Sequence, residues 1–340
     1  MKRSFKFVAV LKAALVGVVL FGTMSCGGGN TPAKDFEISP VGNTSIRITG
    51  YIGEKWEVKI PSKIQGLPVT HIGGFRGKKL TAVKIPRTVT HIGADAFRSN
   101  QLTSIIIPDS VVDIGDFAFS GNKLTSIIIP DSVVDIGRYA FYYGNELTSV
   151  TIGNSVTNIG EGAFMSSKLT SIDIPHSVKT LGDTKIGTDH GVFQNNQLTS
   201  IVIPDSVTTI GNTTFAGNQL TSIVIPDSVT VIGSAAFRNN QLTSAIIGNG
   251  VTSIGGWAFE NNQLASISIG NSVESIGIEA FKNNKLTDVF FPDNMGRIDS
   301  SAFYKNPIIS ISFLPHPRGK ISFYPWSTFD DYDAMSVTRR

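Results

Sequence analysis

The stretch LTSIIIPDSVVDIGDFAFSGNK, from Leu102 to Lys123, decides the fold, because it recurs in recognisable form from Leu80 almost to the end of the chain. Its opening leucine returns at Leu80, Leu102, Leu124, Leu147, Leu169, Leu198, Leu220, Leu242, Leu264 and Leu286, in steps of 22 or 23 apart from a single step of 29. A period of this length with apolar residues at fixed offsets marks a solenoid, in which each unit buries its apolar face only against its neighbours. Such an array is a scaffold for an extended surface, which favours binding over chemistry.

Within a unit, Leu102, Ile105 and Ile107 occupy offsets one, four and six, the L-x-x-L-x-L pattern of leucine-rich repeats. A Pro-Asp or Gly-Asn pair then turns the chain (Pro108-Asp109, Gly153-Asn154, Gly248-Asn249). Small hydroxyls follow at the ninth offset, as in Ser110, Ser132 and Ser177, and are expected to satisfy buried backbone groups at the turn. Gly250 cannot do so, and its coil is predicted to be soft. A second short apolar element runs through Val111 and Ile114-Gly115. Ala118-Phe119 follows, with phenylalanine at the same place from Phe97 to Phe303, which predicts a buried ring stack along the axis.

Before the repeats, Phe36–Ser39 and Ser45–Tyr51 read as strands of a hairpin around Gly42-Asn43. Residues 36–79 are expected to cap the array, residues 80–313 to form the repeats, and residues 314–340, rich in aromatics such as Phe323, Tyr324, Trp326, Phe329 and Tyr332, to cap the other end.

The formal charge of +3 misleads, because Lys2, Arg3, Lys6 and Lys12 all lie in the first 25 residues. Without them 25 basic side chains face 26 acidic ones, which argues against nucleic acid as a partner. The positive start and the short apolar run Ala13–Met24 read as an export signal over residues 1–25. The only cysteine, Cys26, follows small Ser25 and is similar to the lipid-attachment residue of bacterial lipoproteins, although Thr23 stands where leucine is usual. Residues 26–35 then read as a tether. One cysteine also excludes an internal disulfide.

The combination L-T-S-I-x-I-P-D-S-V, then I-G, then A-F closely resembles the BspA-like leucine-rich-repeat family of bacterial surface lipoproteins, of the treponemal type, over Leu80 to Phe313. The resemblance implies a right-handed leucine-rich-repeat solenoid, rich in β-structure, with the LTSI strands in a parallel concave sheet. It also implies a non-catalytic protein, lipid-anchored at the outer membrane or cell surface, that adheres to host extracellular-matrix or cell-surface proteins. The alternative is a periplasmic structural or assembly protein facing inward. The cysteine that usually ends each unit is replaced here by asparagine, as at Asn100, Asn122 and Asn240.

Side chains alternate along a strand, so inward Leu102, Ile105 and Ile107 imply that the fifth offset faces out. This row holds Lys84, Ile106, Ile128, Thr151, Asp173, Val202, Val224, Ile246, Ser268, Phe290 and Ser312. It contains two apolar patches, Ile106 with Ile128 and Val202 with Val224 and Ile246, and these together with Phe290 are the expected partner-binding residues. The alternative is that β-branched residues stand there because they suit strands. The seven-residue insertion, with Asp183, Lys185, Asp189 and His190, is the second candidate surface, and Asp189 and His190 would also be the groups of a hydrolase hidden on the scaffold. No nucleophile, phosphate-loop or metal-ligand motif is present, so no catalytic residue, metal or cofactor is expected.

Overall fold

A computed structural model describes residues 29–184, 190–299, 301–313, 322–323 and 336–339. Cys26, the export signal, Lys185, Asp189 and the aromatics Tyr324, Trp326, Phe329 and Tyr332 lie outside them. The chain winds as a β-solenoid of about 12 turns with almost no helix.

Three ladders hold the turns together, and each follows from one repeated residue. The first is the phenylalanine column. Eleven rings from Phe75 to Phe303 stack in sequence, with centroid spacings between 5.1 and 5.8 Å. All are essentially solvent-free. Tyr51 and Phe36 of the N-terminal cap continue the column beyond Phe75. Offset stacking at this spacing adds to the area term, so every coil contributes both to its own burial and to its neighbours'.

The second ladder is made by asparagine. Asn240 accepts from Leu220 N–H at 3.1 Å, and its amide donates to Phe215 O at 2.9 Å and Phe237 O at 3.1 Å. The same set repeats at Asn100, Asn122, Asn218, Asn262, Asn284 and Asn306. Each asparagine therefore satisfies backbone groups in its own coil and in the preceding one, where no water reaches them.

The hydroxyls at the ninth offset perform this task only in part, which corrects the sequence expectation. Ser110, Ser132 and Ser177 donate to the carbonyls of Val89, Val111 and Val156 at 2.6 to 2.7 Å. The buried hydroxyls of Ser206 and Ser228 have no partner among the described residues. At Gly250 a Cβ would lie 1.8 Å from Asp227 O, so glycine is what lets that turn press against its neighbour.

The third ladder is the main sheet. The hairpin of Phe36–Val41 and Ser45–Tyr51 starts a fifteen-stranded sheet, which then takes one short strand from every coil. These strands come from the V-x-x-I-G segment, with Ile92, Ile114, Ile136, Ile159, Leu181 and Ile210 in register. The LTSI strands pair only in separate groups: Glu57–Lys59 with Ala82–Lys84, Ser126–Ile128 with Ser149–Thr151, Ser222–Ile225 through Ser266–Ser268, and Asp288–Phe291 through Ser336–Arg339. The LTSI strands are parallel to one another, as expected, and the ladder that runs unbroken is on the other strand row. The glycine of I-G explains the choice. A Cβ at Gly137 would stand 2.5 Å from Asp116 N, so only glycine lets successive coils approach closely beside this row. The insertion leaves the ladder intact, since Asn158, Thr180 and Thr209 remain in register across it.

Two residues per coil turn the corners in the left-handed region. Phe117, Tyr139 and Trp257 take φ of 54° to 58° before the Ala-Phe pair, and Asn239, Asn261 and Asn283 take 56° at the next corner. Asparagine tolerates this conformation better than most residues. At the C-terminal end, where the sequence pattern dissolves, Ser322–Phe323 and Ser336–Arg339 still extend both strand rows.

Candidate interaction surface

Strand parity places the fifth-offset residues as the alternation requires. Leu102, Ile105 and Ile107 are buried, while Ile106 between them is 57% exposed. Ile128, Phe290 and Ile246 are also open to solvent, and Val202 and Val224 reach 81% and 60%. Val224 is the register partner of Ile246, and Ile246 of Ser268. Thr151 follows Ile128 and, with exposed Asp173, separates the two apolar patches.

A groove of about 470 Å³ runs beside the second patch, with Val224, Ile246 and Ser268 on one side and Asp227, Asn249 and Asn271 on the other. Its origin is legible in the chain. Most coils carry proline at the seventh offset, but Gly248 and Gly270 stand there in two successive coils. Removing two pyrrolidine rings opens the floor. The same glycines let the turns close up, since a Cβ at Gly270 would lie 2.2 Å from Gly248 O. The polar wall is ordered by its own ladder. Asn249 N–H donates to Asp227 Oδ1 at 2.6 Å and Asn271 N–H to Asn249 Oδ1 at 3.1 Å. Apolar side chains facing a row of amides can take an extended chain, side chains against valine and isoleucine and peptide groups against the amides.

Phe290 belongs to a different setting. Its coil carries Asp288, whose carboxylate accepts from Thr287 at 2.8 Å and from Ser310 Oγ. Those hydrogen bonds hold the Asp288 carboxyl below the usual range.

The insertion returns to the array through His190. Its Nδ1 lies 3.1 Å from Tyr139 Oη and 3.9 Å from Glu161 Oε1, and its ring stands edge-on to Tyr139 at 5.6 Å. Tyr139 donates to Glu161 Oε1 at 3.0 Å. Burial, reinforced by the Glu161 carboxylate, pushes the Tyr139 hydroxyl up to about 12, so it stays protonated and makes a poor nucleophile. A polar hollow of about 240 Å³ lies alongside, lined in part by Asp116, Arg138, Asn158, Glu161 and Asp183. His190 and the fifth-offset row do not converge on one site. No group of three or more histidine, cysteine or acidic side chains able to hold a metal occurs among the described residues.

Sequence reasoning missed the corner aromatics. Phe117 stacks on Tyr139 at 4.8 Å, and the Arg98 guanidinium lies 4.5 Å above Phe117. Trp56 and Tyr143 are also open to solvent, at 64% and 69%. The signal available was the departure from small residues just before the Ala-Phe pair.

The chain matches the sequence profile of the BspA type leucine-rich repeat region over residues 72–186 and 184–310, and it belongs to that family. Among solved structures it resembles the pneumococcal vaccine antigen PcpA, with TM-score 0.57 and 21% identity over 84% of this chain and 82% of that one. It also resembles a leucine-rich repeat protein from Bacteroides ovatus, with TM-score 0.52 and 20% identity over 92% of this chain and 100% of that one. No curated protein sequence matches the chain. Among the described residues no helix is long and apolar enough to cross a membrane.

Proposed function

We propose that this protein is a non-catalytic, exported binding protein, anchored by a lipid at Cys26, that attaches to host extracellular-matrix or cell-surface proteins through the fifth-offset row. The observation that carries this reading is the run of Val202, Val224 and Ile246, open to solvent in three successive coils, the last two lining the groove. A core-forming role does not require those residues to be apolar, and an exposed apolar patch with a polar rim is what protein partners bury. Membership of the BspA type family and the fold shared with a pneumococcal vaccine antigen support exposure at the cell surface.

The test is attachment of cells bearing wild-type or Val202→Asp/Val224→Asp/Ile246→Asp protein to host-cell monolayers and to immobilised matrix. All three side chains are solvent-facing, so the triple variant keeps its fold, and attachment falls at least tenfold. Undiminished attachment by a folded, surface-exposed variant refutes the assignment. Protease treatment of intact against permeabilised cells separates it from the inward-facing periplasmic reading.

A further inference from the structure

The charge of this chain is divided along its axis. Residues 36–87 carry nine basic side chains against three acidic ones, Glu37, Glu54 and Glu57, a surplus of six. Residues 88–313 carry 11 basic against 19 acidic, a deficit of eight. The near-neutral total hides both.

The surplus is on the surface and uncompensated. Lys59 and Lys84 are register partners at the fifth offset of the two N-terminal coils. Lys63 stands exposed in the short strand Lys63–Ile64 and Arg87 on the turn after Ala82–Lys84, with Lys78 and Lys79 exposed just before that strand. None of the six forms an ion pair among the described residues. The nearest such pairs in sequence are Arg76 and Arg98 with Asp95, at 3.8 and 2.9 Å.

The same end receives the tether. Thr31 N–H donates to Lys59 O, and Lys59 N–H donates to Thr31 Oγ1, both at 3.0 Å. The chain is thus fixed to the Lys59 strand five residues after Cys26. Five residues span at most about 17 Å. With Cys26 acylated, as proposed above, the cationic end is held at the bilayer surface and cannot drift from it.

We propose that this N-terminal face, centred on Lys59, Lys63, Lys84 and Arg87, docks on an anionic lipid surface and holds the solenoid by its first coils, leaving the acidic remainder projecting away. A basic cluster adds electrostatic attraction to the hold of the lipid anchor, and it fixes which face of the protein meets the bilayer. Repulsion between the acidic coils and the same surface keeps the fifth-offset row clear of it. This inference rests on acylation at Cys26 for its geometry, but the affinity of the face for anionic lipid does not.

The test uses the exported chain from residue 26 with Cys26→Ser, so that neither the cationic, apolar signal nor an acyl group contributes. Flotation with vesicles of phosphatidylglycerol and phosphatidylcholine is compared with phosphatidylcholine alone. Binding is expected only where phosphatidylglycerol is present and is lost as salt is raised. Each cation near the surface is worth about fivefold in affinity, so Lys59→Glu/Lys63→Glu/Lys84→Glu/Arg87→Glu reduces it at least about 100-fold. Lys84→Gln alone reduces it about fivefold and reports on the face even if the quadruple variant misfolds. Equal binding by these variants, or equal binding to neutral vesicles, overturns the proposal. Tighter binding to heparin or duplex DNA than to anionic vesicles at the same salt also overturns it, in favour of a polyanion site. The mass of the exported wild-type chain tests acylation separately. An unmodified Cys26 with intact vesicle binding removes the anchor and leaves the face standing, whereas an acylated chain whose charge variants bind vesicles equally does the reverse.

Discussion

Replacing Asn240 by alanine tests the asparagine ladder. The side chain serves Leu220 N–H, Phe215 O and Phe237 O, with a longer bond to Arg238 O at 3.4 Å. The loss is unequal among them. Phe215 O keeps a second amide donor in Asn218, and Phe237 O keeps one in Asn262. Leu220 N–H is left with nothing, in a fully buried position. An orphaned buried donor costs about 1–3 kcal/mol and each of the two shared bonds about 0.5, so Asn240→Ala should lose about 2–4 kcal/mol. Urea denaturation followed by far-ultraviolet circular dichroism and by tryptophan emission measures it. The comparison is Asn261→Gly, at the neighbouring exposed ladder where φ is already 56°, which should stay within about 0.5 kcal/mol of wild type. Asn240→Asp sharpens the test. It keeps the acceptor for Leu220 but sets a carboxylate against two carbonyls, so the folded state favours the protonated acid. Its folded pKa then lies above the unfolded value, and this variant should be more stable near pH 4 than at pH 7, the stability falling as pH rises between the two. If Asn240→Ala costs no more than Asn261→Gly, the ladder does not satisfy the buried backbone and the reasoning fails.

Other consequences are smaller. Thr213 is β-branched, holds φ of 50° and buries a hydroxyl without a partner among the described residues, so Thr213→Asn should raise stability by about 1 kcal/mol in the same denaturation assay. His71 stacks face to face on His91 at 4.3 Å, and burial, with His91 and Arg47 nearby, lowers its pKa. The unfolded chain then takes up this proton first, so stability falls as pH drops below about 6.5, and urea midpoints at pH 8 and pH 5 should converge in His71→Gln relative to wild type.

Much of this molecule was legible before any coordinates. The phenylalanine column, the inward leucines and the exposure of Ile106, Val202, Val224 and Ile246 all follow from offsets within a unit. The hydroxyls at the ninth offset were overrated because their role was read from position alone, and position does not say which carbonyl a short side chain can reach. Asparagine, with a donor and an acceptor on a longer arm, spans two coils where serine spans one gap. The groove beside Ile246 was missed because it depends on two successive glycines in neighbouring coils rather than on a residue type in one.

The sequence by itself determined the solenoid, its parity and its phenylalanine spine. In an array each contact between neighbours repeats, so a spacing along the chain translates directly into a position in space. Only the tertiary structure decided which strand row pairs without interruption, because that depends on how closely backbones meet at the glycine row. It also decided that His190 reaches Tyr139, 51 residues earlier, across an intervening coil. Contacts that do not repeat have no period to announce them.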